Sequence, residues 1–370
     1  KEGRIYQAIG GGYKLSIEEK QRILLASIYG VDIDEQAVEV AKLSLYLKLL
    51  EDEGAEANSR QELFRHTDFA LLPSLMNNIQ CGNALVDSDY YLKSNDALLF
   101  ASLEEKRAIN VFDWEDRFAT TFKDGGFDCV IGNPPYVSAP NQVDNDHLKR
   151  QREYLAQSGK YKSLYQKWDL YIPFIEKGLN ILKDGGLYGA IVPYPFTNQT
   201  YASVLRRIIL ENYHLLEIVD LKGTKVFAGA TVTNCIPIIR KKISCKTADQ
   251  VDISHIDEEK TISVAFTKPR NELVIDEKNC CWNLEEKAMN SALHSDLHVL
   301  GDFCFISKGM VLNSDEKTAK GKFKKEDLIS DVMDETHPRK YIEAKDISRY
   351  SINRVRYLEY GTRRSPAQLV

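Results

Sequence analysis

Phe127-Asp-Cys-Val-Ile-Gly-Asn-Pro-Pro-Tyr136 is the stretch on which the reading of this chain turns. Phe127 to Ile131 is a short apolar run containing Asp128, flanked by Gly125-Gly126 and Gly132, and it predicts a buried strand. Two consecutive prolines then take the chain out of the strand. They fix φ and remove two N–H donors, so the loop is stiff, and it sits at the carboxyl end where open α/β sheets place ligands. Such a loop presents the Asn133 amide, two backbone carbonyls and the Tyr136 ring together. The set suits methyl transfer to a planar exocyclic amine, a poor nucleophile because its lone pair is delocalised into its ring. With the Asn133 side-chain oxygen and the Pro134 carbonyl each accepting one N–H, the nitrogen is held nearer tetrahedral. Its lone pair can then point at an electrophilic methyl while Tyr136 stacks on the ring.

Upstream, Ile28 to Asp34 reads as a strand ending in acids, with Asp34 capping a helix from about Glu35 to Leu50. A carboxylate at such a strand end, here Asp32, is either a turn residue or the clamp for ribose hydroxyls. Ile79 to Leu85 is a second strand end. Residues 86–125 read as a long insertion in which Phe112-Asp-Trp-Glu115 has no assignment. Residues 1–20, with Gly10-Gly11-Gly12, read as a flexible connection, because no Lys-Ser/Thr follows the glycines as in a phosphate-binding loop.

Downstream of Tyr136, residues 138–165 read as a polar, basic loop. Its Lys149, Arg150, Arg152, Lys160 and Lys162 suit either phosphates or a solvated face. Asp169 to Leu182 is helical in period and ends at the turn Lys183-Asp-Gly-Gly186. A strand Leu187–Val192, a helix from near Asn198, a strand Leu216–Leu221, a turn Val226–Ala230 and a strand Thr233–Ile239 follow. Val251 to Val274 carries further alternating stretches, and Cys281–Leu293 opens a connecting helix. Beyond about Val299 the composition shifts. Over 316–364 thirteen Lys/Arg face nine Asp/Glu, interleaved with tyrosines, in a chain of formal charge −5. The balance excludes a uniformly basic nucleic-acid binder and permits one with local basic patches. Seven cysteines without paired spacing fit a reducing compartment, and no cluster with metal-ligand spacing is present. No run approaches a membrane span.

Asn133-Pro134-Pro135-Tyr136 behind an apolar strand resembles the catalytic signature of amino-group DNA methyltransferases. The order of the remaining segments resembles the adenine-specific (N6) enzymes of restriction–modification systems, the Eco57I-like or type IIG group. The resemblance implies an α/β fold: a Rossmann-like S-adenosylmethionine-dependent methyltransferase sheet followed by a partial α+β target-recognition domain. The expected bounds are 1–265 for the catalytic domain, 266–295 for a connecting segment and 296–370 for the start of target recognition. It implies S-adenosyl-L-methionine as cofactor, held by Asp32, Ile33, Asn83, Ala84 and Asn133, and no metal. It implies double-stranded DNA as partner, with the target base flipped between Tyr136 and Phe227, although Phe227 read alone suits a core position equally. The catalytic set is Asn133, Pro134, Pro135 and Tyr136. Glutamine-methylating and some RNA guanine methyltransferases share the loop and stay open at this point, as does a non-catalytic DNA-specificity protein whose catalytic sheet has decayed. The Gly-rich first strand of such a sheet is not found before Ile28, so the sequence is expected to be part of a longer protein. Any nuclease domain or subunit is expected outside it, and the setting to be a prokaryotic cytoplasm.

Overall fold

β5 (Phe127–Gly132), the strand that carries the Pro-Pro loop, is an edge strand. In the computed structural model the described residues are 4–7, 11–51, 72–93, 107–224, 233–242, 250–257, 259–286, 325–348 and 351–362. The chain divides into two units, Lys1–Glu286 and Lys287–Val370. The first unit is mixed α/β around a central mixed sheet. Its early strands are β1 (Ile5–Gln7), β2 (Tyr13–Leu15), β3 (Gly30–Asp32) and β4 (Ile79–Cys81). After β5 come β6 (Leu182–Ala190), β7 (Val192–Pro193), β8 (Tyr213–Asp220), β9 (Asn234–Lys241), β10 (Gln250–Ile256) and β11 (Ile262–Pro269). The central sheet runs β11-β10-β8-β9-β6-β5, with β7 added against β9. β5–β6 and β8–β10 are parallel; the other pairings are antiparallel. β11 crosses residue 265, so the boundary expected there falls inside a strand of this sheet.

Several local readings differ from the fold. β1 and β2 pair antiparallel, Ile5 with Leu15 and Gln7 with Tyr13, and Gly11 and Gly12 lie at positive φ just before β2, where the sequence suggested a flexible connection. Helix α1 (Ile17–Ser27) follows at once because the Ser16 hydroxyl accepts the Glu19 amide. The strand expected from Ile28 starts at Gly30, since Ile28 is still donating to the α1 carbonyl of Leu24. Helix α2 (Glu35–Leu50) is as read, with the Asp34 carboxylate accepting the Gln36 amide at 2.8 Å.

Residues 138–165 are largely helical, as α3 (Ala139–Asp144) and α4 (Asp146–Gln157). The Asn145 side chain accepts both the His147 and Leu148 amides, and Gln151, Tyr154 and Leu155 form the buried face. Helix α5 (Tyr171–Asn180) is shorter than expected. The Lys183–Gly186 turn is a bulge within β6: Leu182 pairs with Phe127, and the next pairing on the ladder is Leu187 with Cys129. Gly185 supplies the positive φ, and a Cβ on Gly186 would lie 2.9 Å from two carbonyl oxygens. The helix expected near Asn198 starts as 3-10 turns and becomes α6 at Ser203–Asn212.

The helix expected from Cys281 is instead β13 (Cys281–Trp282), paired with β12 (Val274–Asp276). Trp282 is buried edge-on against Phe196, and Arg206 holds the backbone just before it. The described part of the second unit is a three-stranded antiparallel sheet of Ile329–Ser330, Arg356–Leu358 and Arg339–Tyr341, with a two-stranded ladder beside it in sequence. The readings at Val226–Ala230 and 303–309 lie outside the described residues. No described helix is long and apolar enough to cross a membrane.

Candidate active site

β5 was expected to be buried, and it is not: Ile131 is 84% exposed. β3 and β4 pair in parallel as a separate two-stranded sheet, so the outer edge of β5 carries no strand among the described residues. The amino ends of the two sheets are nonetheless tied. Tyr29, just before β3, meets Phe127 edge-on at 5.7 Å, inside a cluster with Trp114, Phe118 and Phe122. Phe112 packs on Trp114 at 5.5 Å, which gives the unassigned Phe112–Glu115 segment its function. It is an aromatic plug under the strand that carries the loop, each edge contact worth about 0.5–1.5 kcal/mol beyond area burial.

The loop itself is braced at both ends by one residue. Ile191 donates its N–H to the Gly132 carbonyl at 3.2 Å and accepts the Tyr136 hydroxyl at 3.1 Å. Between these points Pro134 is buried while Asn133 and Pro135 are exposed. Among the described residues nothing hydrogen-bonds the Asn133 side chain or the Pro134 carbonyl. Two acceptors thus stay unengaged within the described fold, on a backbone that the prolines keep from relaxing. Burial pushes the Tyr136 phenol up to about 12, so it stays neutral and offers a ring rather than a base.

The other sequence-derived positions behave less uniformly. Asp32 is exposed at the end of β3, and its Oδ1 accepts the Asp34 amide at 2.8 Å. Ile33 is exposed beside it. Asn83 is buried. Its amide donates to Gln151 at 3.3 Å and its oxygen accepts the Leu85 amide at 3.1 Å, so the side chain is spent inside the fold. The Ala84 carbonyl accepts the Trp114 indole. Phe227 lies outside the described residues.

The basic residues read as phosphate ligands divide. Arg152 turns inward, 3.8 Å over the Trp168 ring and bonded to the Trp168 carbonyl at 2.8 Å. Lys149, Lys160 and Lys162 are exposed, and of these Lys160 pairs with Asp87 and Asp89 at 2.7 and 2.9 Å. In the second unit Arg356 is held by Glu343 and Asp346 and is not offered to a partner.

Gly82 separates β4 from Asn83, and a Cβ there would lie 2.5 Å from the ring of Phe112, itself buried. Gly82→Ala is therefore expected to cost about 1–3 kcal/mol through overpacking. Urea unfolding of the variant against the parent checks this, and an unchanged midpoint would show that the plug can yield.

The Eco57I restriction-modification methylase family matches residues 26–227, from the end of α1 through the loop and β8. The type II restriction enzyme and methyltransferase RM.Eco57I of Escherichia coli is 33% identical over 232 residues, 62% of this chain and 20% of that protein. The type II methyltransferase M.BstVI of Geobacillus stearothermophilus is 34% identical over 130 residues, 35% of this chain and 21% of that protein. Among solved structures, a nuclease-deletion mutant of the type ISP restriction-modification enzyme LlaGI in complex with a DNA substrate mimic aligns with TM-score 0.43 at 17% identity. That alignment covers 65% of this chain and 19% of that one. The chain spans about a fifth of the length of these two curated relatives.

Proposed function

Because the chain belongs to the Eco57I restriction-modification methylase family, we propose that it is the catalytic part of a type II, IIG-like restriction–modification methyltransferase. Its substrate is the N6 amino group of an adenine in double-stranded DNA. The observation that carries this reading is the pair of acceptors, the Asn133 side-chain oxygen and the Pro134 carbonyl, that no described residue hydrogen-bonds, with a neutral aromatic ring pinned near them in sequence at Tyr136. Two acceptors side by side match the two hydrogens of an exocyclic amine. A ring fixed by its own hydroxyl matches a base that has been unstacked. An adenine amine inside a duplex is out of reach, so the base is flipped, with Tyr136 on one face and Phe227 on the other.

S-adenosylmethionine supplies an electrophilic methyl on a sulfonium. The chain's acidic strand end fits that cofactor: the exposed Asp32 carboxylate, whose Oδ1 alone is taken by the Asp34 amide, would accept from a ribose diol, and the exposed Ile33 gives an apolar surface next to it. Asn83 and Ala84 act as the frame of the adenine end, because their polar atoms are engaged within the fold. Asn133 Oδ1 and the Pro134 carbonyl each take one amine hydrogen and turn the nitrogen lone pair out of the ring's conjugation. The lone pair would then face the methyl that bound S-adenosylmethionine would supply, and the amine proton that the nitrogen gives up would pass to solvent. Pro135 contributes stiffness, which keeps the two acceptors in register.

Base mapping by single-molecule sequencing tests the reading in cells that express the complete chain. Modified adenine at one fixed sequence context, strongly reduced with Asn133→Ala, is the expected result. DNA free of modified adenine, from folded and cofactor-bound protein, would overturn it. The role of the Tyr136 ring is separable from that of its hydroxyl. Tyr136→Ala is expected to lose about 1–3 kcal/mol of base stacking in kcat/KM. Tyr136→Phe, which keeps the ring and drops the bond to Ile191, is expected to stay within roughly fivefold of the parent. Steady-state kinetics on DNA distinguish the two, and equal losses would assign the effect to the hydroxyl.

A further inference from the structure

The backbone that leaves the loop is held by a group thirty residues downstream. Ala139 opens α3, and the Ser138 side chain before it makes no capping bond. Pro140 has no N–H, so the Ala139 amide is the first donor of that helix end that needs a partner. Asp169 provides it, its Oδ1 accepting at 3.1 Å. The next residue, Leu170, donates to the Val137 carbonyl at 2.9 Å, which makes a two-point splice between 137–139 and 169–170.

Asp169 is half-buried. Burial raises its carboxyl above the ordinary value, opposed by bonds from the Tyr201 hydroxyl and the Ala139 amide and by the charge of Arg152. The Tyr201 hydroxyl also meets that of fully buried Tyr171 at 3.1 Å. The Tyr171 ring packs edge-on against Tyr136, with centroids 6.5 Å apart. One carboxylate therefore reaches the catalytic loop by two routes, through the backbone at Ala139 and through two tyrosines to the ring of Tyr136. Arg152 closes the rear of the assembly, bonding Gln142 at 3.0 Å while Gln142 holds the Val137 carbonyl at 3.0 Å.

We propose that Asp169 is a positioning residue for the loop Asn133–Tyr136, fixing its exit by accepting the Ala139 amide and fixing the Tyr136 ring through Tyr201 and Tyr171. The proposal rests on the reading of that loop as the site of methyl transfer. Asp169 touches neither substrate nor cofactor; it acts through the backbone and the ring. What it must supply is an acceptor, and an asparagine at 169 keeps one.

The test is a pair of variants of the complete chain, Asp169→Ala and Asp169→Asn, read by steady-state methylation kinetics and by hydrogen–deuterium exchange over residues 136–142. Asp169→Ala is expected to lower kcat roughly 10- to 100-fold through a misplaced loop, with KM for S-adenosylmethionine within about twofold of the parent. The Ala139 amide should exchange about tenfold faster or more. Asp169→Asn is expected to recover both readouts to within roughly fivefold. An alanine variant with the parent's kcat, or an asparagine variant as slow as the alanine one, would overturn the proposal. If the unsubstituted enzyme moves no methyl group, the methyltransferase reading fails and the exchange arm decides alone. Faster exchange in the alanine variant only would support positioning, and unchanged exchange would overturn it.

Discussion

An Asn133→Ala enzyme is expected to bind DNA and cofactor like the parent and to transfer methyl groups roughly 10²–10³-fold more slowly. The side chain is exposed and bonded to nothing among the described residues, so its removal leaves no buried group without a partner. Stability should therefore be unchanged. What is lost is one of two acceptors aimed at the amine. The remaining carbonyl of Pro134 cannot by itself turn the nitrogen lone pair out of conjugation. The loss should appear in kcat more than in KM, because the bond to the amine strengthens as positive charge develops on nitrogen. Asn133→Asp keeps an acceptor of the same shape and should retain more activity than the alanine variant. Single-turnover methylation with unfolding curves for each variant checks the pattern. Equal activity of the alanine variant and the parent would remove Asn133 from the chemistry.

The largest effect on folding is expected at a residue that carries no chemistry. Arg206, on α6, is fully buried and has no carboxylate within ion-pair distance among the described residues. Its guanidinium donates instead to three backbone carbonyls: Phe196 at 2.6 Å, Asn279 at 2.7 Å and Cys280 at 2.7 Å. Burial lowers its pKa from the usual value, opposed only by the nearby thiols and phenols of Cys281, Cys280, Tyr171 and Tyr201. The fork ties the turn before β13 to the segment after β7, and Trp282 packs on Phe196 directly beside it. Arg206→Leu fills most of the volume but strands three carbonyls, for a cost of about 3–5 kcal/mol. Arg206→Lys should be nearly as damaging, since one ammonium cannot reach three acceptors that a planar fork reaches at once. Urea unfolding followed by tryptophan fluorescence measures both. A lysine variant with the parent's midpoint would show that charge alone suffices.

Sequence legibility varied for physical reasons. The loop at 133–136 was legible because prolines and a short apolar run act locally, and α2 because Asp34 caps it within its own turn. The exposure of β5 was not legible, since it depends on which strand pairs beside it, and β3 pairs with β4 instead. Residues 138–165 looked like a loop on composition, yet Asn145 followed by Leu148, Gln151, Arg152 and Leu155 is a cap with helical spacing that could have been found. Lys183–Gly186 has the composition of a chain reversal; only the pairing partner decides that it is a bulge. The inward turn of Arg152 and Arg356 and the surface pairing of Lys160 were invisible for the same reason. Their partners Trp168, Asp87 and Glu343 are distant in sequence or on other elements, and a basic residue reads the same whether solvated, paired or bound to phosphate. The commitment of Asn83 to Gln151 likewise needs a helix 68 residues away.

The most direct test is to incubate the complete chain with methyl-labelled S-adenosylmethionine and unmethylated double-stranded DNA, digest the DNA to nucleosides and identify the labelled species by mass spectrometry. Label is expected in N6-methyl-deoxyadenosine from the parent, and the same species is expected to accumulate roughly 10²–10³-fold more slowly from Asn133→Ala. Label in N4-methyl-deoxycytidine, or label found only when RNA or a glutamine-containing protein replaces the DNA, would contradict it.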